Sequence, residues 1–263
     1  MTGRLFIALL GMALLVGCSD KIEERDWVTM GTTASVKVKR ADSTIAHATK
    51  LARELTTEIE TLLNVHDPES ELSKSAALSD AELVVKFRKL TRSSRLCPEL
   101  ATCFEAAFRL RDQSGGAFNP RWKGDETMDL GGIAKGYAVD VLASQVYAGD
   151  GIGQEVLFDI GGNLKCQRGS WTVGIAGTDA TLVLKKGEAC ATSAEYYRGK
   201  HIYDGRTGNA VTNDLLSVTI VHPNSAMLAD GLSTICFILG ETEGKAFLGK
   251  FYPEARAIWI KKE

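Results

Sequence analysis

Along the chain the spacing of hydrophobic positions changes several times, and each change marks an element. Over residues 27–39 apolar and polar positions alternate around Met30-Gly31-Thr32-Thr33 and on through Val36 and Val38, the period of a strand introduced by a tight feature. That strand is expected to open the folded domain. Over 46–63 the spacing becomes helical, with Leu51, Leu55, Ile59, Leu62 and Leu63 set between charges, and the run stops at His66-Asp67-Pro68. A second helix is predicted from Pro98 to about Gln113, ended by Ser114-Gly115-Gly116, and a third over 137–146. Strands follow at 155–160, 171–176, 181–184 and 216–221, with a helix over 226–239. Helices and strands interleave without strict alternation, which predicts an α+β fold: a single main domain with a mostly antiparallel sheet and packed helices.

Composition adds little to that picture except at the start of the chain. The 263 residues are 44% hydrophobic and 24% charged with a formal net charge of -2, enough for a sizeable core and without the basic excess of a nucleic-acid binder. Arg4, an apolar run from Leu5 to Val16 and then Gly17-Cys18-Ser19 have the layout of a secretory signal, and the run is too short for a membrane span. Leu15-Val16-Gly17-Cys18 resembles a bacterial lipobox, with Cys18 as the lipidated first residue of the mature protein; the alternative is a buried cysteine in a leader helix. The expected layout is a signal peptide at 1–17, a lipid-anchored linker at 18–26 and the folded domain at 27–263. A bacterial membrane lipoprotein facing the periplasm or the cell exterior follows from it. Cys97, Cys103, Cys166, Cys190 and Cys236 lack paired CxxC spacing and read as small core residues, with a Cys97–Cys103 disulfide as the one local possibility.

The candidate chemistry lies in loops. In Asp129-Leu130-Gly131-Gly132-Ile133-Ala134-Lys135-Gly136 the glycines admit a ligand close to the backbone, and the following helix start offers free N–H groups and a positive dipole end to a phosphate. Lys135 adds a charge and Asp129 an acceptor; a plain glycine turn with a surface Lys–Asp pair explains the same residues. Asp159-Ile160-Gly161-Gly162-Asn163 is a second such turn. Asp230 and Thr234 are four apart, so on a helix they share a face and could hold a hard cation such as Mg²⁺, or they could simply cap and back-bond the helix. His201-Ile202-Tyr203-Asp204 ahead of Gly205-Arg206-Thr207-Gly208 sets a histidine and an acid before a turn.

Taken in order, Met30-Gly31-Thr32, Asp67-Pro68-Glu69-Ser70-Glu71-Leu72, Gly115-Gly116-Ala117-Phe118, DLGGIAKGYAVD, DIGGN, Ala191-Thr192-Ser193, HIYDGRTG and ADGLST resemble the ApbE family of FAD:protein FMN transferases. The resemblance spans essentially the whole mature chain. It implies a magnesium-dependent enzyme outside the cytoplasm that takes FAD as substrate, transfers FMN to a threonine of a target protein and releases AMP. It further implies that Asp129 and Lys135 lie in the FAD site, that the Gly132 carbonyl with Asp230 and Thr234 ligates Mg²⁺, and that Met30, His66, Asn119 and Ile202 line the flavin pocket. His201 is then the candidate base, with Asp204 to orient it.

The chain also departs from the family pattern. Asn119 stands where an acid is usual, only residues 121–128 separate Pro120 from Asp129 where a longer segment normally helps to wall the pocket, Ala194 replaces a glycine and Gly205 a proline. Two other readings stand beside transfer: hydrolysis of FAD to FMN and AMP, which the resemblance also implies, and a non-catalytic flavin-binding lipoprotein, which Asn119 and the shortened segment favour.

Overall fold

The computed structural model describes residues 21–39, 44–92, 96, 100–148, 155–195 and 201–262. The expected signal segment at 1–17, Cys18 and Cys97 lie outside the described residues. Among the described residues no helix is long and apolar enough to cross a membrane.

The alternation near the start encodes a hairpin, not one strand. β1 (Ile22–Thr29) and β2 (Thr32–Lys39) pair antiparallel around Met30-Gly31. Both turn residues have positive φ, 50° and 70°, the geometry that matches a two-residue turn to the twist of its strands. The tight feature expected before the strand is thus its turn, and β1 begins at Ile22, within the segment expected to be a linker. Helices α1 (Thr44–Leu63), α2 (Glu71–Ser75), α3 (Asp80–Thr91) and α4 (Leu100–Gln113) follow, then α5 (Ala134–Ala148). Next come β3 (Glu155–Ile160), β4 (Asn163–Arg168), β5 (Ser170–Gly174), β6 (Thr181–Lys185), β7 (Ala189–Ala194), β8 (Tyr203–Asp204), β9 (Asn209–Ala210) and β10 (Leu215–His222), and finally α6 (Ala226–Phe251) and β11 (Arg256–Lys261).

A seven-stranded sheet, ordered β1-β2-β3-β4-β7-β10-β11 with every neighbouring pair antiparallel, forms the body of the domain. The α+β expectation is met. Val36, Val38, Phe158, Ile160, Ala191, Val218 and Ile220 point to one face of it and join α1, α5 and α6 in the main core. On the other face Leu157, Cys166 and Cys190 pack under Trp171 and Leu184 of the β5–β6 hairpin. Cys103, Cys166, Cys190 and Cys236 are free and buried, and burial pushes their thiols up, to about 12 for Cys190 and Cys236, so they are packing residues.

Two details of α6 matter for the site. It runs past the predicted end to Phe251 by way of a break at Gly240, where φ is 77°. Its first turn is tied to α5: Asp140 accepts from the backbone N–H groups of Ala226 and Met227 at 2.9 and 3.0 Å and from the Ser225 hydroxyl at 2.9 Å, while Lys165 of β4 pairs with it at 2.7 Å. The helices approach so closely that a Cβ on Gly136 would lie 2.3 Å from the Ala226 carbonyl. Gly136 and Asp140 of the glycine-rich block therefore serve helix packing and capping.

Candidate active site

The start of α5 meets the second turn of α6 at Asp230. The Gly136 N–H donates to Asp230 Oδ2 at 3.0 Å, and Lys135 Nζ lies 3.8 Å from the same oxygen and 2.9 Å from the Gly131 carbonyl. Asp230 is 5% exposed, and removal from water raises its carboxyl above the usual carboxylate range, with Lys135 and the Gly136 N–H pulling it back. Thr234 follows one turn later, its hydroxyl 3.3 Å from the Asp230 carbonyl and 3.3 Å from Ser193 Oγ. A Cβ on Gly132 would stand 3.2 Å from Thr234 Oγ1, so the Gly132 backbone borders the same space.

Asp129 sits at the entrance of this turn. Its Oδ1 accepts from the Gly131 N–H at 2.8 Å, and its Oδ2 lies 3.8 Å from Lys123 Nζ. The short segment ahead of it is closed by Arg121, which donates to the carbonyls of Ala76 at 2.7 Å, Leu78 at 2.6 Å and Asp125, and pairs with Asp80 at 3.0 Å. The Asp129 N–H donates to the Pro120 carbonyl at 2.8 Å, which closes the loop at its base. The loop turns Trp122 onto Tyr203, ring centroids 4.1 Å apart and 13° from parallel.

That stack joins the loop to the hairpin β8–β9, which carries the candidate base. His201 is exposed and Ile202 is buried at 7%. Asp204 faces Arg206: Nε lies 2.9 and 3.1 Å from its two oxygens and Nη2 2.6 Å from Oδ2. These hydrogen bonds hold the Asp204 carboxyl below its ordinary value. Both Asp204 carboxylate oxygens are engaged by Arg206, two residues further along the same turn. The hairpin docks on the 116–119 segment through the Gly205 N–H to the Ala117 carbonyl at 2.9 Å. A Cβ on Gly205 would fall 2.4 Å from Asn119 Cβ, so the two departures from the family pattern touch each other. Asn119 spends its side-chain oxygen on the Arg121 N–H at 2.9 Å, in a local turn.

Met30 and His66 stand farther out. Antiparallel register sets the Met30-Gly31 turn, the Gly161-Gly162 turn and the later half of β7 at one end of the sheet. Thr29 bonds Glu60 at 3.1 Å, so α1 ends beside the Met30 turn, and His66 is exposed in the turn that follows. Four contributors were not singled out from sequence. Ser193 and Ser233 bond each other at 2.9 Å, Phe118 backs Gly132, and Trp122 seals the loop. Contacts across 40 residues leave no local periodicity to find them by.

Among the described residues no three His, Cys, Asp or Glu side chains converge as a metal cluster. What Asp230 and Thr234 offer beside the Gly132 backbone is one buried carboxylate and one hydroxyl, a hard set that fits a cation keeping waters and phosphate oxygens as its other ligands.

Fold and site together define a single-domain α+β protein with an oxygen-donor, lysine-flanked turn at the mouth of a buried helix pair. The ApbE family model matches residues 30–125 and 121–259, and the chain belongs to the ApbE family. It is 26% identical over 310 residues to the FAD:protein FMN transferase of Vibrio cholerae, covering 91% of this chain and 89% of that protein. With a FAD:protein FMN transferase of Klebsiella pneumoniae it shares 34% identity over 149 residues, 51% of this chain and 46% of that one. Among solved structures, the flavinyl transferase ApbE of Pseudomonas stutzeri in its apo form superposes with a TM-score of 0.70 at 21% identity, over 93% of this chain and 92% of that one. The ApbE protein of Thermotoga maritima gives 0.71 at 19%, over 92% and 94%. The fold is theirs.

Proposed function

We propose that the chain is a FAD:protein FMN transferase that moves FMN from FAD to a threonine hydroxyl of an extracytoplasmic target protein and releases AMP, with Mg²⁺ as cofactor. The observation that carries this is the meeting of Asp230, Thr234 and the Gly132 backbone beside Lys135. A bound Mg²⁺ would supply charge neutralisation on the diphosphate. Lys135, held at the Gly131 carbonyl, adds a second positive charge where the leaving AMP phosphate develops negative charge. Asp129 stiffens the Gly131 turn against which a diphosphate would lie, while Met30, His66, Asn119 and Ile202 are assigned to the flavin half. In the transfer the threonine oxygen bonds to the flavin-side phosphorus, the bond from that phosphorus to the AMP oxygen breaks, and His201 accepts the threonine proton.

Hydrolysis of FAD to FMN and AMP is the second possibility, favoured by the exposure of His201, which opens the base to water as well as to a peptide. A single experiment separates these from a non-catalytic flavin binder: the purified domain with FAD and Mg²⁺, with and without a threonine-bearing target peptide, followed for AMP and for flavin covalently bound to the peptide. AMP only with peptide supports transfer, AMP without it supports hydrolysis, and no AMP in either mixture refutes both. For location we propose a membrane lipoprotein anchored through Cys18. Cys18→Ser is expected to free an exported protein from the membrane, and unchanged fractionation refutes the anchor.

A further inference from the structure

Beneath Thr234 lies a chain of buried hydroxyls that the proposed chemistry does not use directly. Ser193 of β7 is 9% exposed and Ser233 of α6 is fully buried. Ser233 Oγ donates to the Asp230 carbonyl at 2.9 Å, Ser193 Oγ lies 2.9 Å from Ser233 Oγ, and Thr234 Oγ1 lies 3.3 Å from Ser193 Oγ and 3.3 Å from the Asp230 carbonyl. Each hydroxyl has one proton to give and two lone pairs to offer, so the protons can be ordered.

The Asp230 carbonyl has two lone pairs. One faces the helical N–H of Thr234, four residues on, and the other takes the Ser233 proton at the shorter distance. With its own proton committed, Ser233 can only accept from Ser193. With its proton committed in turn, Ser193 can only accept from Thr234. Thr234 can also donate to the Asp230 carbonyl, at 3.3 Å, and the shorter Ser233 bond selects the opposite order: Thr234 to Ser193, Ser193 to Ser233, Ser233 to the Asp230 carbonyl. It ends with the Thr234 proton pointing at β7 and its lone pairs free for the space bordered by Gly132.

We propose that Ser193 is a positioning residue: it draws the Thr234 proton toward the sheet and so presents the Thr234 oxygen as a cation ligand. This rests on the assignment of Asp230 and Thr234 to a divalent cation. Without Ser193 the Thr234 hydroxyl keeps only the already occupied Asp230 carbonyl, and it is free to turn a proton toward the cation. Removing a group that orients a metal ligand typically weakens metal binding by about 10–100-fold. Ser233 acts at one further remove, since without it Ser193 has no acceptor for its own proton except Thr234.

The test uses Mn²⁺ alone as the probe, titrated into the full soluble domain and read from the electron paramagnetic resonance signal of the free ion, with flavin fluorescence quenching as a separate measure of FAD affinity. Ser193→Ala is expected to weaken Mn²⁺ binding about tenfold while FAD affinity in the absence of metal stays that of the parent. Ser193→Thr, which keeps the hydroxyl, is expected to restore Mn²⁺ binding, and Ser233→Ala to weaken it although its oxygen faces away from the site. Asp230→Asn is the reference. If Ser193→Ala binds Mn²⁺ like the parent while Asp230→Asn does not, the hydroxyl chain is overturned and the cation site stands. If Asp230→Asn also binds like the parent, or the parent binds no Mn²⁺, the cation site falls and the chain falls with it. An equal loss of metal and FAD affinity in Ser193→Ala, with no recovery in Ser193→Thr, would make Ser193 a packing residue and overturn its positioning role.

Discussion

Around Asp230 the polar groups are held by several elements at once. The start of α5 supplies the Gly136 N–H and Lys135, β7 supplies Ser193, and Asp140 fastens the first turn of α6 from a second helix. The hairpin with His201 and Asp204 is built the other way: a two-residue strand pair, an exposed histidine, and an acid paired with an arginine two residues along its own chain. It touches the rest through the Gly205 N–H, Ile202 and the Trp122–Tyr203 stack. One half of the site is preorganised to hold fixed charge, and the other is light enough to adjust to a protein substrate.

The largest effect should come from breaking the rigid half at its charge. Asp230→Asn keeps an oxygen for the Gly136 N–H but removes the carboxylate, and FMN transfer is expected to fall by about 10³-fold, the scale of a lost group that stabilises developing charge. Circular dichroism should show an intact fold. Near-parental turnover would place the cation elsewhere.

Next comes the support of that half. Asp140→Ala removes the acceptor for two N–H groups and one hydroxyl at the start of α6 and leaves Lys165 facing a site with no counter-charge. Breaking one partner of such a buried pair costs about 3–5 kcal/mol. Denaturant titration measures it, and a loss under 1 kcal/mol would show that the α5–α6 contact is held by packing alone.

How much of this was legible in the sequence follows the same division. Asp230 and Thr234 could be paired because a spacing of four puts them on one helix face, and the Gly131-Gly132 turn announced itself by composition. Asp140 lies inside the glycine-rich block, yet its partners are 25 residues away in β4 and 85–87 away at the start of α6, and no local pattern links them. β7 was missed because Ala-Cys-Ala-Thr-Ser-Ala has small residues where a strand signal needs branched or aromatic ones; it is a strand because Ala189 and Ala191 let helices pack flat on the sheet. α3 left a readable signal that went unused: Ser79 and Glu82 form a capping box, with the Glu82 carboxylate accepting the Ser79 N–H at 2.9 Å.

Within the lighter half, His201→Asn is expected to reduce FMN transfer by about 10²-fold, the lower end for a lost general base, with FAD affinity unchanged. Asp204→Asn should cost less than about tenfold, because the Asp204 carboxylate is engaged by Arg206 in a half-exposed pair. Since Arg206 holds the Asp204 carboxyl below its ordinary value, Asp204 is ionised throughout the neutral range. The rate should therefore stay near that of the parent in Asp204→Asn and fall in His201→Asn. The reverse pattern would make Asp204 the base.

The smallest effect tests whether the two halves are independent. Trp122 is half-buried, stacked on Tyr203 on one side and approached by Lys123 at 4.8 Å from the ring centroid. An aromatic pair of this kind contributes about 0.5–1.5 kcal/mol beyond the area it covers, so Trp122→Ala should lower global stability by about 1 kcal/mol. Its local consequence is larger. Without the stack the 201–210 hairpin loses one of its ties to the loop, so amide hydrogen exchange should quicken there and stay unchanged in α5 and the first turns of α6, which are fastened by Asp140 and Asp230. Faster exchange in α6 to the same degree would mean that the hairpin braces the charged half as well, and the division of the site into a rigid and an adjustable part would have to be given up.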